Sequence, residues 1–379
     1  MIDDDIEENT TKCMCADLQT EDYSPLYAKY NLALIIIALP PLSLFGVCTN
    51  VVNIYVYSRE SKKENKFFDM KTGNIFRMRN SANTYLLFLA CSDFLVILTG
   101  LFIFWIAASV YADNLQLSLN SDSARSYIPE LARAPYTTVY ILPFGYMAQT
   151  CSIYFTVAAA FDCYTNVCLK SFSKTYCTIR RAKQICFTVM VASIVYNSLR
   201  FPQFNLRKCL HDTSGDQVIE ICPTSLFFTI NVAYNVYLYM VLMTLLPFLF
   251  LLCLNTIIVW RQSTDTSRQN EVCCCSSKVH SAHALLHPPP SSSSGGDETI
   301  TMIMVVILFL ACNTLANQEN AVVAALIVNL IETFFDPDPL LLNLLSDASN
   351  FLVVLNSSVN CVIYFVFNNI YREIFMLVD

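Results

Sequence analysis

Long apolar runs recur along this chain, and shorter polar stretches separate them. A helix needs about 20 mostly apolar residues to cross the hydrocarbon core of a bilayer, and seven segments reach that length. The third differs from the rest because small and polar residues are mixed with its apolar ones. The pattern predicts an all-α membrane protein, a seven-transmembrane helix bundle with spans near Asn31–Tyr57, Asn83–Ala107, Tyr136–Cys168, Lys183–Leu199, Leu226–Trp260, Thr299–Val328 and Leu340–Phe367.

The regions outside the spans differ in composition. Residues 1–30 form an acidic tail, expected outside the cell, and residues 369–379 form a short cytoplasmic tail. The seven-transmembrane domain then covers residues 31–368. The amphipathic stretch Asn368–Leu377 predicts a short eighth helix along the membrane interface. Residues 263–297 hold a cysteine run and a Pro-, Ser- and Gly-rich stretch, and this low complexity predicts a disordered cytoplasmic loop.

Basic residues are divided unequally between the two sets of loops. Most of the 23 lysines and arginines lie in the loops after the first, third and fifth spans. Because such residues accumulate on the cytoplasmic side, we expect a multi-pass protein of the plasma membrane with its N-terminus outside. Asn9 then begins a glycosylation sequon on the outer side. Glu332, Asp336 and Asp338 follow the sixth span, where they would either attract a cationic ligand or form an ordinary solvated exterior.

The composition agrees with a membrane location and argues against other classes. The chain is 55% hydrophobic and 14% charged, whereas soluble domains carry about 25% charged residues. No Gly-rich phosphate loop or nucleophile elbow is visible, so we predict no enzyme, no catalytic residue and no nucleic-acid partner. His280, His283 and His287 lie near three cysteines, but their low-complexity surroundings favour a chance cluster over a zinc site.

Polar residues interrupt some of the apolar runs. Asn50, Asp93, Asn356 and Asn360 lie within predicted spans, where a polar group is costly and usually faces the interior. A carboxylate surrounded by asparagine side chains and water would form a hydrated cavity and a candidate sodium site near Asp93. The alternative is a polar contact that fixes the register of the helices, and a combination of both roles is favoured.

Some of these residues belong to motifs whose order and spacing are shared with a known family. The chain resembles rhodopsin-like (class A) G-protein-coupled receptors in Gly46–Asn50, Leu89–Asp93, Asp162–Tyr164, Pro247 and Asn360–Tyr364. Four further stretches resemble those of invertebrate FMRFamide-type neuropeptide receptors, namely Ala148–Tyr154, Tyr196–Phe201, Phe309–Ala316 and Leu355–Asn360.

The resemblance implies a receptor for an extracellular, amidated FMRFamide-like peptide that signals through a heterotrimeric G protein. An amidated Arg-Phe ending would offer a cation and an aromatic ring. The residues expected to contact it are Tyr140, Phe144, Gln149, Tyr234, Tyr237, Gln318, Glu319 and Glu332. The residues expected to transmit activation are Asn50, Asp93, Asp162, Cys163, Tyr164, Pro247, Phe309, Asn356, Asn360 and Tyr364.

The chain departs from the family pattern at its signalling motifs. Cys163 stands where the family usually has arginine, so Asp162 needs another partner, which the loop of Arg180 and Arg181 would supply. Cys361 replaces a usual proline in the seventh span. These departures keep open a poorly signalling or decoy receptor, or a small-molecule or chemosensory receptor of the same fold. A membrane transporter is the alternative from another class, although no internal repeat supports it.

The cysteine that the family usually has at the outer end of the third span is missing, and Thr138 lies near that place. The following outer loop contains Cys209 and Cys222 instead, and an oxidising exterior permits disulfides. A hairpin disulfide between these two is one prediction. Alternatively, either bonds to Cys13 or Cys15 in the N-terminal tail.

Overall fold

The computed structural model describes the chain in separate ranges, most of which are helical. Five helical stretches within those ranges are long and apolar enough to cross a membrane, which confirms the predicted all-α membrane fold. The sixth predicted span is described only in its first part, Thr299–Leu308. The described residues are 32–64, 81–103, 137–210, 217–276, 299–308 and 339–376.

The helices follow the apolar runs of the sequence. They are α1 (Leu39–Glu64), α2 (Ser81–Ile103), α3 (Leu142–Cys168), α4 (Lys170–Tyr176), α5 (Ile179–Ser198), α6 (Ser225–Ile230), α7 (Leu246–Ser276), α8 (Thr299–Leu308), α9 (Pro339–Phe367) and α10 (Asn369–Met376). Wider π-helical segments, Leu32–Ala38 and Thr137–Ile141, precede α1 and α3. The mixed composition of the third run therefore still permits one continuous helix.

A β-hairpin follows α5. Its strands, β1 (Phe204–Leu210) and β2 (Gln217–Pro223), are antiparallel. The Thr224 hydroxyl accepts a hydrogen bond from the Phe227 amide at 3.4 Å, which caps α6. The same hydroxyl donates to the Gln203 carbonyl oxygen at 3.1 Å and so ties both ends of the hairpin together. β1 contacts the segment that precedes α3. We call this end of the bundle the hairpin end.

The fifth span is irregular before it becomes α7. Two π-helical segments, Asn231–Leu238 and Met240–Leu245, occupy its first half. Pro247 is buried in the first turn of α7. Because proline has no backbone N–H, it cannot donate the usual helical hydrogen bond to the carbonyl four residues earlier. The missing bond favours the wider turns that end just before it.

The predicted disordered loop 263–297 is wrong in its first part. α7 continues through that part of the loop to Ser276, well past the expected end of the fifth span at Trp260. Residues such as Arg261, Gln262 and Arg268 are good helix formers, so the backbone stays hydrogen-bonded beyond the apolar run. The rest of the predicted loop, 277–297, lies outside the described residues.

The helices bury apolar residues against one another and expose others on the outside. α1 packs against α9, and α3 packs against α5 and α7. The interior contains large, fully buried side chains, including Leu89, Phe155 and Tyr364. On the outside, Phe187 and Trp260 expose 64% and 70% of their surface. Exposed apolar faces on long helices fit a bundle whose solvent is lipid.

The predicted eighth helix is present as α10. It follows Asn368, whose side-chain oxygen accepts a hydrogen bond from the Tyr371 amide at 3.0 Å and so caps the helix. Tyr371 is buried at 1% exposure, whereas Phe375 and Met376 are exposed. This division of the helix into a packed face and an exposed apolar face suits a position at the membrane interface.

Candidate functional site

At the hairpin end, Arg200 lies among three tyrosine rings. Its guanidinium carbon is 4.0 Å from the ring centroid of Tyr146 on α3. The corresponding distances are 5.2 Å to Tyr239 and 5.6 Å to Tyr234, both in the segment before α7. A cation within about 6 Å of an aromatic face is attracted by the ring. Arg200 therefore connects the end of α5 to α3 and to the fifth span.

Tyr234, which the sequence predicts as a ligand contact, belongs to this group. Its hydroxyl donates a hydrogen bond to the Tyr196 carbonyl oxygen, and the two ring centroids are 5.1 Å apart. Only 6% of Tyr234 is exposed. The residues that meet here, which we call the arginine cluster, are Tyr146, Tyr196, Arg200, Tyr234 and Tyr239.

The other predicted ligand contacts have different surroundings. Phe144 is exposed, and its ring meets that of Phe201 edge-on with centroids 5.4 Å apart. Tyr140 and Tyr237 are exposed, and Gln149 is half-buried. The structure therefore brings only part of the predicted set to the arginine cluster. Three predicted contacts lie outside the described residues, namely Gln318, Glu319 and Glu332.

The predicted disulfide between Cys209 and Cys222 is wrong. In the hairpin, Cys209 lies opposite Val218, whereas Cys222 lies opposite Asn205. The two cysteines are therefore offset by four residues, which is about 13 Å at the rise of a strand. A disulfide joins Cα atoms less than about 7 Å apart. Cys222 is disulfide-bonded, so its partner is a cysteine other than Cys209.

Deeper in the bundle, Asp93 of α2 is fully buried and is held by two other helices. The Ser152 hydroxyl of α3 donates to Asp93 Oδ1 at 2.6 Å. The Asn360 amide of α9 donates to Asp93 Oδ2 at 2.8 Å. Each carboxylate oxygen thus has its own donor, so the buried group joins α2, α3 and α9 through directed hydrogen bonds.

The other two asparagines of the predicted polar group have different roles. Asn50 donates to the Gly46 carbonyl oxygen at 2.9 Å and to the Ser357 carbonyl oxygen at 2.8 Å, so it joins α1 to α9. Asn356 is half-buried and is not among the described hydrogen-bond partners of Asp93. The polar groups in the core are therefore asparagine side chains, serine side chains and backbone carbonyls, and asparagines alone do not surround Asp93.

At the end of α3 opposite the hairpin, Asp162 is buried among neutral donors. The Ser81 hydroxyl donates to Asp162 Oδ2 at 2.8 Å, and the Asn166 amide donates at 3.4 Å. The expected partners Arg180 and Arg181 are both exposed. Within the described residues, neither forms an ion pair with Asp162, and the prediction is wrong.

The Arg181 guanidinium packs on an aromatic ring. It lies over the Tyr176 ring at 4.4 Å from the centroid. Cys177 follows this ring in the chain, and its sulfur is 3.1 Å from the Thr165 hydroxyl. Burial raises the pKa of the Cys177 thiol, and the negative charge of Asp162 raises it further. The loop end near Asp162 is therefore a packed region in which both thiol and carboxyl groups are withdrawn from water.

Cys163 and Tyr164 lie next to Asp162 but have different surroundings. Cys163 is 9% exposed and packs in the apolar core. Tyr164 is half-buried, with its ring centroid 6.3 Å from that of Phe161. Cys163 therefore contributes a small apolar surface at this end of α3.

Three tyrosines join α1, α9 and α10 at the same end of the bundle. Tyr364 is 1% exposed, with its ring centroid 5.6 Å from that of Tyr57 and 5.7 Å from that of Tyr371. The Cys361 sulfur lies 3.3 Å from the Tyr371 hydroxyl. Cys361 thus contacts α10 from a position where the resembling family usually has proline. Phe309 lies outside the described residues.

Three relatives align with nearly all of the chain. A "Probable G-protein coupled receptor frpr-1" of Caenorhabditis elegans is 28% identical over 95% of this chain and 82% of its own length. The "FMRFamide receptor" of Drosophila melanogaster is 25% identical over 99% of this chain and 58% of its own length. The "FMRFamide peptide receptor frpr-18" of Caenorhabditis elegans is 27% identical over 89% and 67%. No family model matches the chain.

The chain is thus similar to G-protein-coupled receptors over almost its whole length. Its long apolar helices make it a multi-pass membrane protein. The receptor therefore has two regions of interest. One is the arginine cluster at the hairpin end. The other runs from Asp93 through the core to Asp162 and Tyr364 at the opposite end.

Sequence reasoning missed residues in both regions of the receptor. Ser152 and Ser81 each donate to a buried carboxylate. A serine within an apolar run, such as Ser152, does not stand out as asparagine or aspartate does, and Ser81 precedes the predicted second span. Arg200 lies in the Tyr196–Phe201 stretch, whose resemblance to other receptors does not by itself assign a role to the arginine. The sequence feature that could have identified Arg200 is its position at the end of a span, one helical turn after Tyr196.

Proposed function

We propose that this receptor binds an extracellular, amidated neuropeptide of the FMRFamide type and passes the signal to a heterotrimeric G protein. Its N-terminus and hairpin end face outward from the plasma membrane. The observation that carries the proposal is the alignment of nearly the whole chain with receptors that are named for FMRFamide. The unequal distribution of basic residues supports the orientation.

The hairpin end offers the surface that an aromatic peptide ending needs. Phe144, Tyr140 and Tyr237 are exposed there, and exposed aromatic side chains supply contact area for a ring of the ligand. β1 contacts the segment before α3, so the hairpin lies beside the segment that contains Tyr140. The acidic residues of the loop after the sixth span would attract the cation of an Arg-Phe-amide ending before it docks.

Binding at this end would change the receptor by shifting an equilibrium between two arrangements of the helices. The hydrogen bonds of Asp93 to Ser152 and Asn360 join three helices. Asn360 lies one turn before Tyr364, which packs against α1 and α10. A movement of α9 would therefore alter both the polar group and the tyrosine contacts, and Pro247 and Phe309 are proposed to take part in the same change.

The end proposed to meet the G protein differs from the family pattern in its charge. Cys163 supplies a buried thiol in place of a guanidinium, and Asp162 is held by neutral Ser81 and Asn166. A receptor without that cation cannot offer it to a G protein. This observation favours a second candidate function, a receptor that binds its peptide but signals poorly, as a decoy would.

A sodium ion near Asp93 is compatible with the residues present. A carboxylate and the hydroxyl of Ser152 are oxygen ligands of the kind that hard cations prefer, and both are buried together. Asp93 and Ser152 would hold the ion, which would neutralise the buried carboxylate charge there.

A G-protein activation assay in cells tests the proposed function. The wild-type chain is challenged with a library of amidated peptides, and surface expression is measured on the same cells. A submicromolar response to Arg-Phe-amide peptides, lost in Glu332→Ala but retained in Lys208→Ala, supports the ligand class and the acidic loop. Binding of labelled peptide without activation supports the decoy. Absence of both binding and activation, at normal surface expression, rejects the peptide assignment.

A further inference from the structure

The charge of Arg200 lacks a carboxylate partner in the part of the chain that the structure describes. Its Nε donates a hydrogen bond to Asn197 Oδ1 at 3.3 Å, and its guanidinium also hydrogen-bonds to the Tyr234 hydroxyl. Its other described contacts are the ring faces of Tyr146, Tyr234 and Tyr239. A guanidinium has five N–H donors, so most of them remain for another acceptor. The arginine cluster therefore positions a half-buried cation without compensating its charge.

A second donor in the same cluster also lacks a partner. The Tyr196 hydroxyl is buried, and no acceptor lies within hydrogen-bond distance of it among the described residues. Tyr196 lies one helical turn before Arg200, and its ring packs on that of Tyr234. A buried polar group that lacks a hydrogen bond costs free energy, so an acceptor that a ligand brings to this cluster would remove that cost.

The aromatic rings hold the guanidinium in place rather than neutralise it. Tyr146 belongs to α3, whereas Tyr234 and Tyr239 belong to the segment before α7, so the three rings approach Arg200 from two different helices. A guanidinium that is already ordered loses little entropy when it binds a planar oxyanion through paired hydrogen bonds. This is the arrangement expected of a preorganised site for an anion.

We propose that Arg200 and the Tyr196 hydroxyl bind a carboxylate of the peptide ligand. This inference rests on the proposed function. An amidated peptide has no C-terminal carboxylate, so the group is the side chain of an aspartate or glutamate upstream of the Arg-Phe-amide ending. The receptor then recognises two opposite charges on its ligand, namely the arginine cation of the Arg-Phe-amide ending and the acidic side chain, which binds at the arginine cluster. A structural role alone, in which Arg200 only joins α5 to its neighbours, is the competing explanation.

The test uses amidated peptides in matched pairs that end in Arg-Phe-amide and differ only by Glu or Gln at one upstream position. Half-maximal concentrations for G-protein activation, or for displacement of a labelled peptide, are measured on cells with equal surface expression. The receptors compared are the wild type and Arg200→Gln, Arg200→Lys and Tyr196→Phe. Lys208→Gln is the matched control, because Lys208 is an exposed cation on the nearby β1.

The wild type is expected to prefer the Glu peptide by about tenfold or more at one position, as a charge-assisted hydrogen bond implies. Arg200→Gln removes that preference and leaves the Gln peptide within about threefold of its wild-type potency. Arg200→Lys retains part of the preference, since lysine keeps the charge but not the planar pair of donors. Tyr196→Phe weakens it, and Lys208→Gln leaves it unchanged.

Two results would overturn the inference while the proposed function survives. One is a wild-type response to the peptides with no preference for Glu at any position. The other is an equal loss of potency for both members of a pair in Arg200→Gln, which is what a purely structural arginine predicts. A wild type that neither binds nor responds to any peptide rejects the proposed function, and the inference fails with it.

Discussion

The Tyr371 hydroxyl donates a hydrogen bond to Asn53 Oδ1 at 2.7 Å, and this contact joins the short helix α10 to α1. Both residues are 1% exposed. The Tyr371 ring also lies 5.8 Å from that of Tyr57, centroid to centroid. An interfacial helix that has a packed face and a buried polar contact is fixed to the bundle more firmly than amphipathicity alone would achieve.

Removal of the Tyr371 hydroxyl should therefore destabilise the receptor. In Tyr371→Phe, Asn53 loses its buried donor, and an unsatisfied buried acceptor costs about 1–3 kcal/mol. We expect a lower Tm for the detergent-solubilised receptor. Tyr176→Phe is the control, since Tyr176 is an exposed tyrosine near the same end. An unchanged Tm in Tyr371→Phe would show that the contact contributes nothing to stability.

Gly46→Ala should disturb the contact between α1 and α9. A Cβ at Gly46 would overlap the Ser358 hydroxyl and lie 2.6 Å from Ile97 Cδ1. Overpacking of this kind typically costs about 1–3 kcal/mol, and we expect reduced surface expression and a lower Tm. Addition of Ser358→Gly should restore part of the loss because it removes the overlapping atoms. Gly145→Ala is the milder control, since its nearest neighbour, Thr99 Oγ1, lies at 3.0 Å.

In the polar core, the sequence predicts only those residues whose polarity differs sharply from that of their neighbours in the chain. Asp93 and Asn360 stand out within apolar runs. In the structure, the Asn360 side-chain amide donates a hydrogen bond to Asp93 Oδ2 at 2.8 Å. Ser152 does not stand out, because small hydroxyl residues are ordinary in a span. Its hydrogen bond to Asp93 depends on how α2 and α3 rotate against each other, which periodicity alone does not specify.

The hairpin shows a different limit of sequence reasoning. Cys209 and Cys222 lie close enough in the chain for a loop disulfide, but the register of β1 and β2 offsets them. Register depends on the turn and on the tie between Thr224 and Gln203, neither of which the spacing of the cysteines reveals. In the same way, the basic loop of Arg180 and Arg181 suggested a partner for Asp162, whereas Ser81 of α2 has that role.

Replacement of Cys163 by arginine tests whether the missing cation limits signalling. The guanidinium would lie beside Asp162, which now has only neutral donors among its described partners. If the receptor couples to a G protein as proposed, Cys163→Arg should raise the maximal response to an active peptide at equal surface expression. The cost is a charge placed near an apolar cluster, so the Tm should fall.

Cys163→Met is the control for that experiment, because it changes side-chain volume at the same position without adding charge. It should leave the maximal response at the wild-type level. An unchanged response in Cys163→Arg, from receptor that reaches the surface and binds peptide, would contradict the explanation by charge. Poor coupling would then have to arise elsewhere in the core.

The disulfide of Cys222 gives a prediction that requires no ligand. Peptide mapping of the non-reduced receptor should find Cys222 joined to a cysteine other than Cys209. Cys13 and Cys15 are the expected candidates, because the distribution of basic residues predicts that the N-terminal tail and the loop of Cys222 are both extracellular. Cys209→Ser should leave the linked peptide intact, and Cys222→Ser should abolish it. A Cys209–Cys222 peptide would instead show that the strand register differs from the one found here. Loss of the link should also lower the Tm, since a cross-link between distant parts of a chain restricts the unfolded state.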